Sequence, residues 1–274
     1  MESVVDPARA LPEPDAGPLA RFSLAGKSVL ITGATGALGS AAARALSQAG
    51  AALTLAGGNA QRLAEVAAGL DSGNVVTVPR RPQSPQDAAA MVSAAVDGHG
   101  ALDGVLVASG MNHVAPITTM SVEDFQRVQD ANVRGSWLVC QAAGRQLIEQ
   151  GSGGSVVLVS STRGKLGHPA GYTAYCPSKA AVDLLAKSLA AEWGPAKIRV
   201  NAIAPTVFRS DLTAWMYADD DKGRATREAM LARIPLGRLA EPGDLTGALL
   251  FLLSDASAFL TGQVLYLDGG YTAC

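Results

Sequence analysis

Short apolar runs alternate with helix-length segments along almost the whole chain, and this alternation restricts the fold more than any single motif. Ser28–Thr32 is the first run, and its unbroken apolar character predicts a strand buried on both faces. The Ala-rich stretch 38–49 reads as the first helix, ended by Gly50. Further strands are expected at 52–56, 75–78, 105–108, 155–159, 198–203 and 264–267, with helices at 60–69, 85–97, 121–150, 174–193 and 241–253. Strands that alternate with helices are joined by right-handed crossovers into a parallel sheet covered on both faces. No internal repeat or low-complexity linker divides residues 23–274, so the expected fold class is α/β, a doubly wound parallel sheet in one domain. Residues 1–22 are rich in Pro, Ala and acidic residues without periodicity and read as a flexible leader.

In open sheets of this type ligands sit at the carboxyl ends of the strands. Gly33 follows the first predicted strand, Ser109-Gly110 the fourth, Ser160-Ser161 the fifth and Ala204-Pro205-Thr206 the sixth. The turn Thr32-Gly33-Ala34-Thr35-Gly36-Ala37-Leu38-Gly39 joins the first strand to the first helix. Glycines there let the backbone approach a pyrophosphate, and the helix N-terminus offers free N–H groups, which favours dinucleotide binding. On a helix, Tyr175 and Lys179 share one face. Bringing a phenol from ~10 to ~7 requires roughly 4 kcal/mol. A lysine charge about 4 Å away supplies ~1 kcal/mol in water but ~4 kcal/mol at an effective dielectric of about 20. The pair is therefore expected to work as a proton donor and acceptor in a partly dry cleft.

Composition excludes other classes. The chain has 274 residues, 48% apolar and 17% charged, enough for a sizeable core. A formal charge of −2 with no basic tract argues against a nucleic-acid partner. No apolar run is long enough to span a membrane, and no signal-peptide pattern opens the sequence. Cys140, Cys176 and Cys274 are odd in number and widely spaced, which fits a reducing, cytoplasmic setting. His99, His113 and His168 lack metal-ligand spacing, so no metal site is expected.

From residue 22 to the C-terminus the chain resembles the short-chain dehydrogenase/reductase family, in its single-domain branch. The resemblance rests on the glycine turn, Asn132, Ser161, Tyr175-x-x-x-Lys179, Val200-Asn201-Ala202-Ile203-Ala204-Pro205 and Tyr266-Leu267-Asp268-Gly269-Gly270, in that order. It implies a Rossmann-type seven-stranded sheet, a bound NAD or NADP, and a homotetramer. It also implies a site in which Tyr175 exchanges a proton with the substrate oxygen and Lys179 lowers the tyrosine pKa and holds the nicotinamide ribose. Ser161 would hydrogen-bond that oxygen, and Asn132 would hold a water linking Lys179 to solvent. Cofactor contacts are expected at Gly33, Thr35, Gly36, Leu38, Gly39, Gly57, Ala108, Gly110, Tyr175, Lys179, Pro205 and Val207. The implied activity is interconversion of a secondary alcohol and a ketone.

Several positions depart from the family pattern. Ala37 stands where a glycine is usual, with Gly36 beside it, and Val107-Ala108-Ser109-Gly110 replaces Asn-Asn-Ala-Gly. Arg80-Arg81-Pro82 replaces the usual Asp after the third strand, and Ala56-Gly57-Gly58-Asn59 carries no acid for a ribose hydroxyl. Arg62, Arg80 or Arg81 could reach a 2′-phosphate, and the choice between NAD and NADP stays open. Residues 206–239 form an insertion expected to act as a lid over the substrate, with the run Asp219-Asp220-Asp221 read as a solvated loop. Arg163, Lys165, His168 and Asn112-His113 near the same mouth suit a hydroxylated or carboxylated substrate: a polyol, sugar or sugar acid. The alternatives are a 3-oxoacyl thioester reductase, a cofactor-binding regulatory or structural subunit with impaired catalysis, and, more weakly, a lyase or epimerase.

Overall fold

The structure, a computed structural model, describes residues 17–70, 74–218 and 220–274. The leader expected at 1–22 therefore falls outside the described residues up to position 16. Its last part includes a single helical turn, α1 (Gly17–Ala20).

Seven strands follow: β1 (Ser28–Thr32), β2 (Ala52–Ala56), β3 (Val75–Val78), β4 (Gly104–Val107), β5 (Gly154–Val159), β6 (Ile198–Pro205) and β7 (Val264–Leu267). They form one sheet in the order β3-β2-β1-β4-β5-β6-β7, and every pair is parallel. The helices between them are α2 (Ala37–Gln48), α3 (Ala60–Ala68), α4 (Pro85–His99), α5 (Val122–Gln129), α6 (Gly135–Gln150), α7 (Tyr175–Trp193), α8 (Asp221–Leu231) and α9 (Thr246–Leu253). Strand side chains alternate between two cores. Leu30, Val105, Val107, Val156, Leu158 and Val200 face α4, α6 and α7. Val29, Ile31, Leu53, Leu106, Val157 and Ile203 face α2 and α9. Burial on both faces is why the strands read as unbroken apolar runs.

Three departures from the expected elements bear on function. The helix expected across 121–150 is interrupted by a π turn at Asp130–Arg134, which contains the buried Asn132. The Ser136 hydroxyl donates to the Asn132 carbonyl at 2.7 Å. The insertion at 206–239 is ordered into a 3₁₀ segment, Asp211–Tyr217, and helix α8. Within the acidic run, Asp220 accepts the Gly223 N–H at 2.7 Å as the N-cap of α8, and Asp221 pairs with Arg224. That run is thus a helix start rather than a solvated loop, and its charge suits the positive end of the helix dipole. Residue 219 lies outside the described residues.

The contact of α6 with α7 is close enough to test. A Cβ on Gly144 would fall 2.5 Å from Trp193 Cζ2 and 2.8 Å from its Cη2. Gly144→Ala should therefore destabilise the fold by about 1–3 kcal/mol through overpacking. That loss outweighs the ~1 kcal/mol helix-propensity gain of alanine. Urea unfolding checks this, and an unchanged or raised midpoint contradicts the packing.

Candidate active site

The direction of the sheet reverses between β1 and β4, and the cleft opens there. Its volume is about 910 Å³, and its wall includes Gly33, Thr35, Gly36, Gly57, Ala108 and Gly110. Gly33 has φ +67°, and a Cβ there would lie 2.7 Å from the backbone of Ala108 and Ser109. Gly36 is the N-cap of α2 with no side-chain cap, so the first-turn N–H groups stay available. Ala37 does not line the cleft whereas Gly36 does, so the shifted glycine keeps this floor bare. Leu38 and Gly39 lie buried beneath the turn, where a Cβ on Gly39 would collide with the Gly33 carbonyl. The residues fit a dinucleotide, with a bare backbone cradle and free helix N–H groups at its floor.

The far wall carries three arginines and no acid at the end of β2. Arg80 pairs with Asp87 at 3.0 Å, and Arg62 with Asp211 at 3.5 Å. Arg81 lies on Gly58, where a Cβ would run into the guanidinium Nε. The expected loss of sheet-stabilising amides after β4 is partly met by Ser109, whose hydroxyl shares a 2.9 Å hydrogen bond with Thr32.

Gly110 connects the cleft to the second half of the site. A Cβ there would lie 3.0 Å from Asn132 Oδ1 and 3.6 Å from Lys179 Nζ. Asn132 Oδ1 accepts the Met111 N–H at 2.8 Å, and its Nδ2 donates to the Met111 carbonyl and the Ser178 hydroxyl, each at 2.9 Å. Its side-chain amide therefore ties the loop after β4 to α7. Lys179 Nζ donates to the Val159 carbonyl at 2.8 Å and lies 5.6 Å from the Tyr175 ring centroid. The two neighbouring serines separate cleanly. Ser160 Oγ donates to the Lys179 carbonyl at 3.2 Å, whereas Ser161 stands at the Tyr175 phenol and acts to lower its pKa. Pro205 ends β6 at that point and accepts from Ser161 at 3.5 Å; Val207 packs instead into a small core with Met216, Met230, Ile234 and Tyr271.

The electrostatics correct one expectation. Burial pushes the Tyr175 phenol up to about 12, against a lowering by the Ser161 hydrogen bond. Burial also brings the Lys179 ammonium down to about 8, partly opposed by Asp183. Desolvation outweighs attraction because the lysine charge faces the Val159 carbonyl and the ring, so the phenol is not brought toward neutrality by this pair alone.

Beside Tyr175, the expected Arg163 and His168 are joined by Tyr271, Arg233 and Tyr172, which the sequence reading missed. The C-terminal Tyr271 is buried, and its hydroxyl accepts from Arg163 Nη2 at 3.0 Å. Arg233, from the segment after α8, lies with its guanidinium carbon 4.3 Å from the same ring centroid. His168 stacks on Tyr172 at 4.4 Å, and Tyr172 lies 6.1 Å from Tyr175. Ser178 and Met111, the partners of Asn132, were also missed; neither carries a motif signal of its own.

Known proteins resemble this chain along most of its length. A family model described as Enoyl-(Acyl carrier protein) reductase matches residues 33–272. An uncharacterised oxidoreductase of Mycobacterium tuberculosis is 71% identical over 258 residues, covering 93% of this chain and 95% of its own. D-threitol dehydrogenase of Mycolicibacterium smegmatis is 36% identical over 257 residues, covering 92% and 95%. The crystal structure of a gluconate 5-dehydrogenase from Burkholderia cenocepacia in complex with NADP and tartrate superposes with a TM-score of 0.86 at 29% identity, covering 94% of this chain and 100% of that one. The chain belongs to the short-chain dehydrogenase/reductase family, and it is an oxidoreductase acting on CH–OH groups. Among the described residues no helix is long and apolar enough to cross a membrane.

The Lys179 shift has a measurable consequence. Its folded value, about 8, lies below the ordinary 10.5. Between those values the unfolded chain binds more protons than the fold, so this contribution to stability rises with pH across that window. Lys179→Met removes the titration. From about pH 7 to 10.5, the unfolding free energy should climb by up to about 3 kcal/mol relative to that variant. A difference that stays flat with pH would mean an ordinary lysine.

Proposed function

We propose that the protein interconverts a secondary alcohol and a ketone on a polyol, sugar or sugar acid, using NADP(H). The observation that carries the chemistry is the meeting of Ser161 with the Tyr175 phenol, whose pKa it lowers, with Lys179 Nζ 5.6 Å from the same ring centroid and Gly110 linking them to the glycine-lined cleft. When bound, the nicotinamide supplies or accepts the hydride. The protein's own residues handle the oxygen and its proton. Ser161 and Tyr175 present two hydroxyls to one carbonyl oxygen, which steadies the charge developing there. Tyr175, protonated at neutral pH, gives its proton to that oxygen in reduction and takes it back in oxidation. Lys179 and Asn132 hold the phenol and the loop after β4 in register. The segment 206–239, seated on Tyr271 through Met216, Met230 and Ile234, serves as the lid.

The polyol and sugar-acid reading is supported by the D-threitol and gluconate dehydrogenases among the relatives. An acyl thioester reading is favoured only by the description of the matching family model. Turnover restricted to acyl thioesters would replace the first reading with the second. A homotetramer is supported by exposed Phe125, Trp137 and Ile148 on α5 and α6 and Leu184 on α7. Three free cysteines support a cytoplasmic setting.

Tyr175→Phe should lower kcat by about 10²–10⁴ while the cofactor dissociation constant stays within about twofold. Full activity in that variant, by steady-state assay, would remove Tyr175 from the proton step. The cofactor choice rests on Arg81, which follows β3 and lays its side chain on Gly58 at the end of β2, where no acid faces a ribose hydroxyl. Arg81→Ala should weaken NADP binding by about tenfold or more and leave NAD binding almost unchanged, as read by fluorescence titration. Equal losses for both cofactors would place Arg81 outside the 2′-phosphate site.

A further inference from the structure

Arg163 lies two residues past Ser161, in the 3₁₀ turn Thr162–Gly164, and its exposure is only 8%. Its guanidinium donates to the Gly167 carbonyl at 3.1 Å and to Tyr271 Oη at 3.0 Å. Both partners are neutral. A guanidinium has five N–H donors, so most of its donor capacity is not met by these two bonds. Burying a cation without a counter-charge is costly, and a fold that needed only a prop for Tyr271 could use a neutral side chain.

A second cation flanks the same ring. The guanidinium carbons of Arg163 and Arg233 lie 5.5 and 4.3 Å from the Tyr271 centroid. Among the described residues neither makes an ion pair, whereas Arg62, Arg80, Arg209 and Arg238 each pair with a carboxylate. The nearby Asp268 is committed elsewhere: its two oxygens accept the backbone N–H groups of Gly270 and Thr272. Two like charges that converge without an acid repel each other, which an anion between them would reverse.

The place of this pair relative to the reacting atoms follows from its neighbours. Arg163 N donates to Ser161 Oγ at 3.2 Å, so the turn that carries the guanidinium also carries the serine that meets the Tyr175 phenol. His168, stacked through Tyr172 toward Tyr175, is held below its usual value by burial and then by Arg163 and Arg233, so both cations bear on this one region.

We propose that Arg163 and Arg233 form an anion subsite beside Tyr175, and that the alcohol or ketone turned over carries a carboxylate: a hydroxy acid or sugar acid rather than a neutral polyol. The proposal rests on the dehydrogenase reading and narrows its substrate class. Guanidinium forks match the two oxygens of a carboxylate, and a carboxylate held at Tyr271 leaves a hydroxyl a few carbons away for Ser161 and Tyr175.

Matched ligands test it, because tartrate and threitol, or gluconate and glucitol, share a carbon skeleton and differ in their carboxylates. Calorimetric titration into the full-length Tyr175→Phe protein, saturated with whichever nicotinamide cofactor binds, reads affinity without turnover. At least one acid should bind about tenfold or more tighter than its polyol counterpart. Arg233→Gln should remove that preference and leave polyol binding within about twofold. Arg163→Gln should do the same, with Arg163→Lys restoring part of it. If Arg163→Gln does not fold, Arg233→Gln, whose side chain is exposed, decides alone. Acids and polyols that bind equally, absence of saturable acid binding, or acid binding indifferent to Arg233→Gln would each overturn the subsite. Glycerol 3-phosphate binding more tightly than glycerate would overturn the carboxylate assignment. Turnover separates the two readings. Arginine-dependent acid binding without oxidation of any alcohol by the unaltered protein keeps the subsite and removes the dehydrogenase reading. Oxidation of polyols and acids alike, with no arginine dependence, does the reverse.

Discussion

A parallel sheet that begins in its middle must reverse its direction of growth once, and in this fold the reversal falls between β1 and β4. The crossovers from those two strands leave in opposite directions, so no helix covers the gap at their carboxyl ends. Everything that can do chemistry depends on that gap. The turn after β1 supplies bare backbone, and β4 supplies Ser109 and Gly110. The loop after β5 supplies Ser161, while α7 brings Tyr175 and Lys179 across from the side. The Thr32–Ser109 hydrogen bond closes the two strand ends against each other at the point where the sheet divides. Asn132 performs the matching task one layer out, spending its amide on Met111 and Ser178.

The same dryness that makes electrostatics strong in this cleft also works against it. A phenol and an ammonium placed together in a low dielectric attract when one is ionised, but both ionised forms lose hydration. Here the second effect wins. The phenol moves up to about 12 and the ammonium down to about 8. The protein atoms thus keep the Tyr175 phenol protonated at neutral pH, and only added positive charge beside it would favour its ionised form. Arg163 contributes in that direction already, though less than burial opposes it.

The fold was largely legible because its inner strands are buried on both faces and its edge strands are still apolar. Ser28–Thr32 and Val75–Val78 stand where the apolar runs put them, and β6 simply continues to Pro205 because it pairs with β7 as far as Leu267. The π turn around Asn132 was not legible, since an i→i+5 turn has no period of its own in a helical stretch. Helix α8 does have a local signal, with Asp220 a good N-cap ahead of helix formers such as Ala225, Glu228, Ala229 and Met230, but an acidic run reads equally as solvated charge. Ser161 could be preferred over Ser160 only through the family resemblance; the structure adds the physical reason, with one hydroxyl on Tyr175 and the other on α7. The direction of the Tyr175 shift was beyond sequence, because spacing reports which face a side chain shares and not how much water it loses. The meeting of Arg163 with Tyr271, 108 positions apart, leaves no local trace at all.

Charge is distributed in a way the net value of −2 conceals. Acidic side chains hold several arginines on the outer surface, while Arg81, lying on Gly58, and Arg163 with Arg233, around Tyr271, make no ion pair among the described residues. Such an arrangement raises the local concentration of anionic ligands even on a protein that is negative overall. The two cations at the substrate end are not equivalent. At about 4 Å, a carboxylate gains ~1 kcal/mol from a cation in water but ~4 kcal/mol at an effective dielectric of about 20. Buried Arg163 stands nearer the second limit and exposed Arg233 nearer the first. Arg163 is therefore the group that sets the strength of an anion contact there. Arg233, exposed on the segment after α8 and screened by salt over a Debye length of about 8 Å, contributes less.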